Sequence, residues 1–160
     1  MLNAISNTSP LVYTHRIGVL DWWPRLFATT WIPQPVIDEL QAGKNRGYDV
    51  PTYEMLAWAD IVQPNHMPQE WFALDLGIGE VSAMSVALDH PKRVLILDDL
   101  LARRTAQAAG LQVWGTLRIL LEAKSQNVTP EITPYVERLQ ASGMYMSEGI
   151  KRRILNLANE

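Results

Sequence analysis

The chain has 160 residues and a formal charge of −3, a length that fits one domain because ordinary domains run to about 100–200 residues. Its 48% hydrophobic and 19% charged shares exclude whole-chain disorder. It contains no cysteine, which excludes a disulfide scaffold, a thiol nucleophile and a cysteine zinc site. The opening Met1-Leu2-Asn3-Ala4-Ile5-Ser6-Asn7 has no basic leader, and no run approaches the ~18–20 apolar residues of a membrane span. The expectation is a soluble, cytoplasmic protein with no membrane contact. The acidic balance argues against a dedicated DNA coat but leaves room for a nuclease, whose metal-binding carboxylates themselves lower the pI.

In chain order, residues 2–6 read as a short apolar strand. Ser9-Pro10 reads as a helix start, with Ser9 as N-cap and Pro10 at the first helical position. Helical spacing follows to about Ile17 and again over residues 20–27. Thr29-Thr30-Trp31-Ile32 is β-branched and aromatic, as a strand would be. Pro33 and Pro35 then open a helix through Ala42, and residues 43–51 read as a polar loop with two glycines. Residues 53–59 fit one or two helical turns, and 60–63 fit a small strand.

The second half is more regular. Residues 79–88 have helical spacing. Arg93-Val94-Leu95-Ile96-Leu97 is apolar after its first residue, as in a strand buried on both faces. An Ala- and Leu-rich helix over 100–109 stops at Gly110. Residues 111–114 make a short strand, and helices follow over 116–125, 130–141 and 148–157. Short strands alternating with helices predict a three-layer α/β/α fold around a parallel sheet of about four to five strands. Residues 1–160 read as a single domain, with about 126–160 as a C-terminal helical extension.

In such a sheet, function collects beyond the carboxyl ends of the strands. Ser6-Asn7-Thr8-Ser9 follows the first strand, and Asp98-Asp99 follows the apolar one. Glu80 shares a helical face with Ala83, Met84, Ala87 and Leu88. Glu39 shares one with Val36 and Leu40, while Asp38, Gln34 and Gln41 fall on the polar side. A carboxylate on an apolar stripe is costly unless it is paired or metal-bound; the alternative is a bond to a backbone amide or an arginine. One of Asp98 and Asp99 can cap the helix at 100–109. The reading adopted here puts Asp98 toward the cleft and Asp99 at the cap, although the two could exchange roles.

Three segments of the first half, Ile5-Ser6-Asn7-Thr8-Ser9-Pro10-Leu11, Ile32-Pro33-Gln34-Pro35-Val36-Ile37-Asp38-Glu39-Leu40 and Leu74-Asp75-Leu76-Gly77-Ile78-Gly79-Glu80, form an ordered set with later ones. Those are Leu95-Ile96-Leu97-Asp98-Asp99, Ala102-Arg103 and Gly110-Leu111-Gln112-Val113-Trp114-Gly115-Thr116. Together they resemble the PIN-domain superfamily, in a prokaryotic PIN-like branch similar to VapC-type toxins. The resemblance implies a metal-dependent endoribonuclease, the toxin of a toxin–antitoxin pair, as a homodimer held by a cognate antitoxin. It implies acids gathered around Mg²⁺ or Mn²⁺. The first acid position falls on Asn7, the second on Glu39, the third on Glu80 and the fourth on Asp98 or Asp99. Glu39, Glu80 and Asp98 then hold the metal, Asn7 orients a water or phosphate oxygen, and Asp99 assists or caps. Thr8 and Ser9 occupy the hydroxyl positions beside the first acid, where they meet a ligand oxygen or a phosphate.

Asn7 departs from the family pattern, which has Asp. It keeps a carbonyl oxygen but removes a charge that hard divalent cations prefer. Affinity for the RNA backbone requires basic residues. Arg103, Arg104 and Lys151-Arg152-Arg153 are the candidates, with an ion pair the alternative for Arg103 and a solvated helix face for the last cluster. Most of the tryptophans are expected in the core, and His15, His66 and His90 show no metal-ligand spacing. The second functional reading is a catalytically weak or inactive PIN-like module that binds RNA or protein. A phosphate cradle for a nucleotide or flavin at Ser6–Ser9 lacks the glycine pattern of a dinucleotide site. A phospho-receiver would want its acid pair where Asn7 stands.

Overall fold

Strand β4 (Val94–Ile96) explains the layering. Val94 and Ile96 belong to one core cluster, while Leu95 and the following Leu97 belong to another. Alternate side chains point to opposite faces, so a strand apolar at every position needs a helical layer on each side. The computed structural model, covering residues 1–160, supplies both layers. The parallel sheet adds β1 (Leu2–Ser6), β2 (Phe27–Pro33), β3 (Asp60–Val62) and β5 (Val113–Trp114), in the order β3-β2-β1-β4-β5.

The helices are α1 (Thr8–Arg16), α2 (Trp23–Leu26), α3 (Gln34–Asn45), α4 (Gln69–Phe72), α5 (Ile78–Asp89), α6 (Leu100–Ala108), α7 (Thr116–Ser125), α8 (Thr133–Ala141) and α9 (Glu148–Leu157). The larger core cluster takes side chains from α1, α2, α3, α7 and α8, and the smaller one from α4, α5 and α6. The result is the three-layer α/β/α fold around an all-parallel sheet. Trp22, Trp23, Trp71 and Trp114 are buried. No helix is long and apolar enough to cross a membrane.

The strand order positions the site. The chain runs outward from β1 through β2 to β3, then returns to the other side of β1 for β4 and β5. The direction of winding therefore changes at β1, and a crevice at the carboxyl ends of the strands opens at such a switch point.

Several local expectations are corrected. Asn7, not Ser9, is the N-cap of α1, which places Ser9 and Pro10 inside the first turn. The first four helical N–H groups have no intrahelical acceptor, so Pro10 there removes no bond. Helix α3 continues through Gly43 to Asn45. Gly43 packs against Val50 and Tyr48, and the chain turns only at Gly47, whose φ of +84° suits glycine. Strand β2 starts earlier than expected, at Phe27, and α4 was not expected at all.

The chain after α7 is tied back by one carboxylate. Glu160 accepts from the amides of Ile132 (2.9 Å) and Thr133 (3.0 Å), from the Thr133 hydroxyl (2.6 Å) and from the Lys124 ammonium (2.8 Å). Lys124 also donates to the Ala158 carbonyl at 2.6 Å. Burial pushes the Glu160 carboxyl up, but Lys124, Thr133 and the two amides outweigh it and hold the group down at about 2. A depressed acid stabilises the fold above its unfolded value, and that contribution is lost as pH falls toward the folded value. Glu160→Gln should therefore lower the Tm at neutral pH. The gap to the parent should close between about pH 4.5 and about 2, measured by thermal unfolding across that window.

Candidate functional site

Asn7 stands where β1 ends and α1 begins. Its N–H donates to the Ile96 carbonyl at 3.1 Å, carrying the β1–β4 ladder one residue past the strand. The residue is 3% exposed, makes no side-chain cap bond, and its Oδ1 has no hydrogen-bond partner. A buried acceptor without a donor costs about 1–3 kcal/mol, so this oxygen at the switch point is available to a ligand.

Glu39 crosses the crevice from α3. The Thr8 hydroxyl at the start of α1 donates to its Oε2, and the Gly79 amide at the start of α5 donates to its Oε1 at 2.8 Å. One carboxylate thus joins three helices. The contact requires glycine at 79, because a Cβ there would lie 2.6 Å from both Glu39 oxygens.

Glu80, next in the chain, is half-buried in the first turn of α5. Eight of that helix's twelve residues are buried, so Glu80 heads a helix enclosed nearly all round rather than a single apolar stripe. Burial raises its carboxyl above the ordinary range, the Asp99 charge raises it further, the Gly77 backbone amide opposes, and Glu39 adds to the rise. Glu80 therefore shares an electrostatic site with Asp99 and Glu39.

The aspartate pair divides. Asp99 is the N-cap of α6, where its Oδ2 accepts from the Ala102 amide at 2.9 Å, and the residue is exposed. Asp98 turns the other way. Its Oδ1 accepts from the Thr116 amide at 2.8 Å and its Oδ2 from the Thr116 hydroxyl at 2.7 Å. Burial raises the Asp98 carboxyl, and both Thr116 bonds and the Arg103 charge oppose that rise. A Cβ on Gly115 would lie 3.1 Å from Arg103 Nη1 and 3.3 Å from Asp98 Oδ1. Arg103 thus sits beside Asp98. The Asp98 charge also reaches Tyr13, whose hydroxyl burial pushes up first and Asp98 further, against Arg16.

Around the switch point the fold therefore gathers Asn7, Thr8, Glu39, Glu80 and Asp99. Ser9 is half-buried at the second position of α1. The residues missed by sequence reasoning are Thr116 and Gly79, each named only within a longer motif. Their partners lie 18 and 40 positions away in the chain, and no local spacing signals such a pairing.

Oxygen donors suit Mg²⁺ or Mn²⁺. The unpartnered Asn7 oxygen and the mutual repulsion felt by Glu80 fit a cation in chemistry and in charge. No three His, Asp or Glu side chains stand close enough to hold one ion by themselves. Mg²⁺ commonly takes one or two carboxylates and completes its shell with water and substrate phosphate, so the residues present fit that kind of site.

Two expectations check this geometry. Replacing Asp99 by Asn should move the Glu80 titration midpoint down toward the ordinary carboxylate range, read by carboxyl-carbon NMR. An unmoved midpoint would show that the two acids do not share a site. Gly79→Ala should gain about 1 kcal/mol of helix propensity yet drive the Glu39 carboxylate from both of its donors. Its Tm should change little while the Glu39 carboxyl resonance shifts; an unshifted resonance would mean that the brace tolerates a methyl group.

No curated protein shows significant similarity to the chain. The sequence model of the DUF3368 family, described as a PIN domain, matches residues 3–160. PIN domains are generally nuclease-like and typically use divalent metals. With the parallel sheet, the switch-point crevice and the acids gathered there, that match over nearly the whole length means that this chain belongs to the PIN-domain family.

Proposed function

We propose that the chain is a metal-dependent endoribonuclease that hydrolyses RNA phosphodiester bonds, the toxin of a toxin–antitoxin pair similar to VapC-type toxins. One observation carries the reading: the buried Asn7 oxygen at the switch point has no hydrogen-bond partner, at the edge of the sheet where Glu80 stands half-buried under the charges of Asp99 and Glu39. A site built to stay without a cation would gain by replacing one of these acids.

When bound, Mg²⁺ or Mn²⁺ supplies a more acidic water and a clamp on phosphate oxygens. The chain's own groups do the rest. Glu39, Glu80 and one aspartate of the Asp98-Asp99 pair furnish the negative field, directly or through water. Asn7 offers a neutral oxygen that orients a water or a phosphate oxygen. Thr8 and Ser9 place hydroxyls beside it, and Arg103 supplies positive charge for the RNA backbone. We read residues 1–160 as one PIN-like domain with about 126–160 as its helical extension, since Val136, Leu139, Met146 and Ala158 share the larger core cluster with the sheet. A cytoplasmic homodimer bound by a cognate antitoxin completes the proposal.

A second reading, a binding module that cuts RNA weakly or not at all, is favoured by Asn7, which leaves the site one charge short of the usual PIN set. Incubating the purified protein with structured RNA in Mg²⁺ or Mn²⁺, beside Glu80→Gln, separates the two. Metal-dependent cleavage lost in the variant supports the nuclease. RNA retained intact in both supports the module. For the nuclease, protons and cation compete for Glu80. Because that carboxyl is raised above its ordinary 4.5, cleavage should fall on the acid side at a higher pH than an unperturbed glutamate would give. The acid limb of the pH–rate profile should move down as Mn²⁺ is increased.

A further inference from the structure

We propose that the two neighbouring aspartates hold different things: Asp98, through Thr116, anchors the start of α7 and is no ligand, while Asp99 is the acid that faces the cation with Glu80 and Asn7. The inference rests on the metal-dependent reading above and reverses the assignment that sequence suggests. Each oxygen of Asp98 accepts a bond from Thr116, one from its amide and one from its hydroxyl, which turns the carboxylate toward α7. Thr116 opens α7, and its amide is among the helical N–H groups without an intrahelical acceptor. Asp98 therefore serves as a remote cap for α7, where a carboxylate is favoured by the helix dipole. Gly115 lies over the contact so closely that a methyl group there would press on both Asp98 and Arg103.

Asp99 is built differently. Only Oδ2 is used, by the Ala102 amide, and the residue is exposed beyond the end of β4. Its charge acts on Glu80. Asn7 extends the β1–β4 ladder by bonding Ile96, which brings its orphaned oxygen to the same end of the sheet. In the rival arrangement Asp98 is the ligand and Thr116 merely orients it, as outer-shell partners of metal ligands do.

Mn²⁺ titration calorimetry and thermal unfolding of the full chain distinguish the two. Asn is as good an N-cap as Asp, so Asp99→Asn should keep its Tm within a few degrees and raise the Mn²⁺ Kd by about tenfold or more. Asp98→Asn should lower the Tm and leave the Kd within about threefold, since it removes charge from the α7 cap and not from the ion site. Thr116→Val should behave like Asp98→Asn, with Thr116→Ser restoring the Tm. The inference is overturned if Asp98→Asn weakens Mn²⁺ as much as Asp99→Asn does. It is equally overturned if Thr116→Val raises the Kd by the roughly 10–100-fold typical of a lost outer-shell partner. If the parent protein binds no Mn²⁺, the metal-dependent reading fails on its own. The anchor is then decided by the Asp98→Asn/Thr116→Val cycle: non-additive Tm losses support it, and additive losses refute it.

Discussion

The structure depends on how negative charge is accommodated at the carboxyl edge of the sheet. Four acids, Glu39, Glu80, Asp98 and Asp99, come from three different parts of the chain to the ends of β1 and β4. Like charges close together in a protein of effective dielectric about 20 repel by several kcal/mol, so each acid requires a donor or a cation. Glu39 has the Thr8 hydroxyl and the Gly79 amide. Asp98 has the Thr116 amide and hydroxyl. Asp99 has one amide. Glu80 is the least compensated, with only the Gly77 amide acting against burial and its two acidic neighbours. The imbalance is local, and the one buried side-chain oxygen without a partner, on Asn7, belongs to the same carboxyl edge of the sheet.

Topology explains why the arrangement is tolerated. Parallel strands deliver each following helix with its N-terminus at the carboxyl edge, and that end carries a partial positive charge. Asn7 caps α1, Glu80 lies in the first turn of α5, Asp99 caps α6, and Asp98 bonds the first residue of α7. The acids are thus placed by helix starts as much as by the sheet. Burial of β4 on both faces keeps these helix starts in register, because any slip of that strand would transfer its side chains to the opposite core cluster.

This division also explains what the sequence discloses. The apolar run at 93–97 and the long helices report burial, which is local in its pattern, so the layers and most element positions are legible. Gly43 was misread because a glycine weakens a helix without necessarily ending it, and here Val50 and Tyr48 pack against it. Asp98 and Asp99 differ by one position, and a strand end turns consecutive side chains to opposite sides, so their environments cannot be separated without the partner on α7. Glu39 and Glu80 were expected to face inward, but the sequence offers no sign that Glu39 is already satisfied by Thr8 and Gly79 whereas Glu80 is not. Such distinctions depend on donors brought from distant segments by the sheet.

Asn7 is best understood within the same electrostatics. An aspartate at a position 3% exposed would add a desolvated charge to a crevice that already strains Glu80, and without a cation it would have no donor to offset the cost. Asparagine leaves an unsatisfied oxygen, a smaller cost than an unpaired buried charge. The substitution eases the site in the absence of metal and weakens its hold on a metal when one arrives. A cation gripped by few protein charges relies more on the oxygens of a bound phosphate. On the nuclease reading, the residue that looks like a defect therefore links ion capture to the presence of RNA, because substrate supplies part of the negative charge that Asn7 does not.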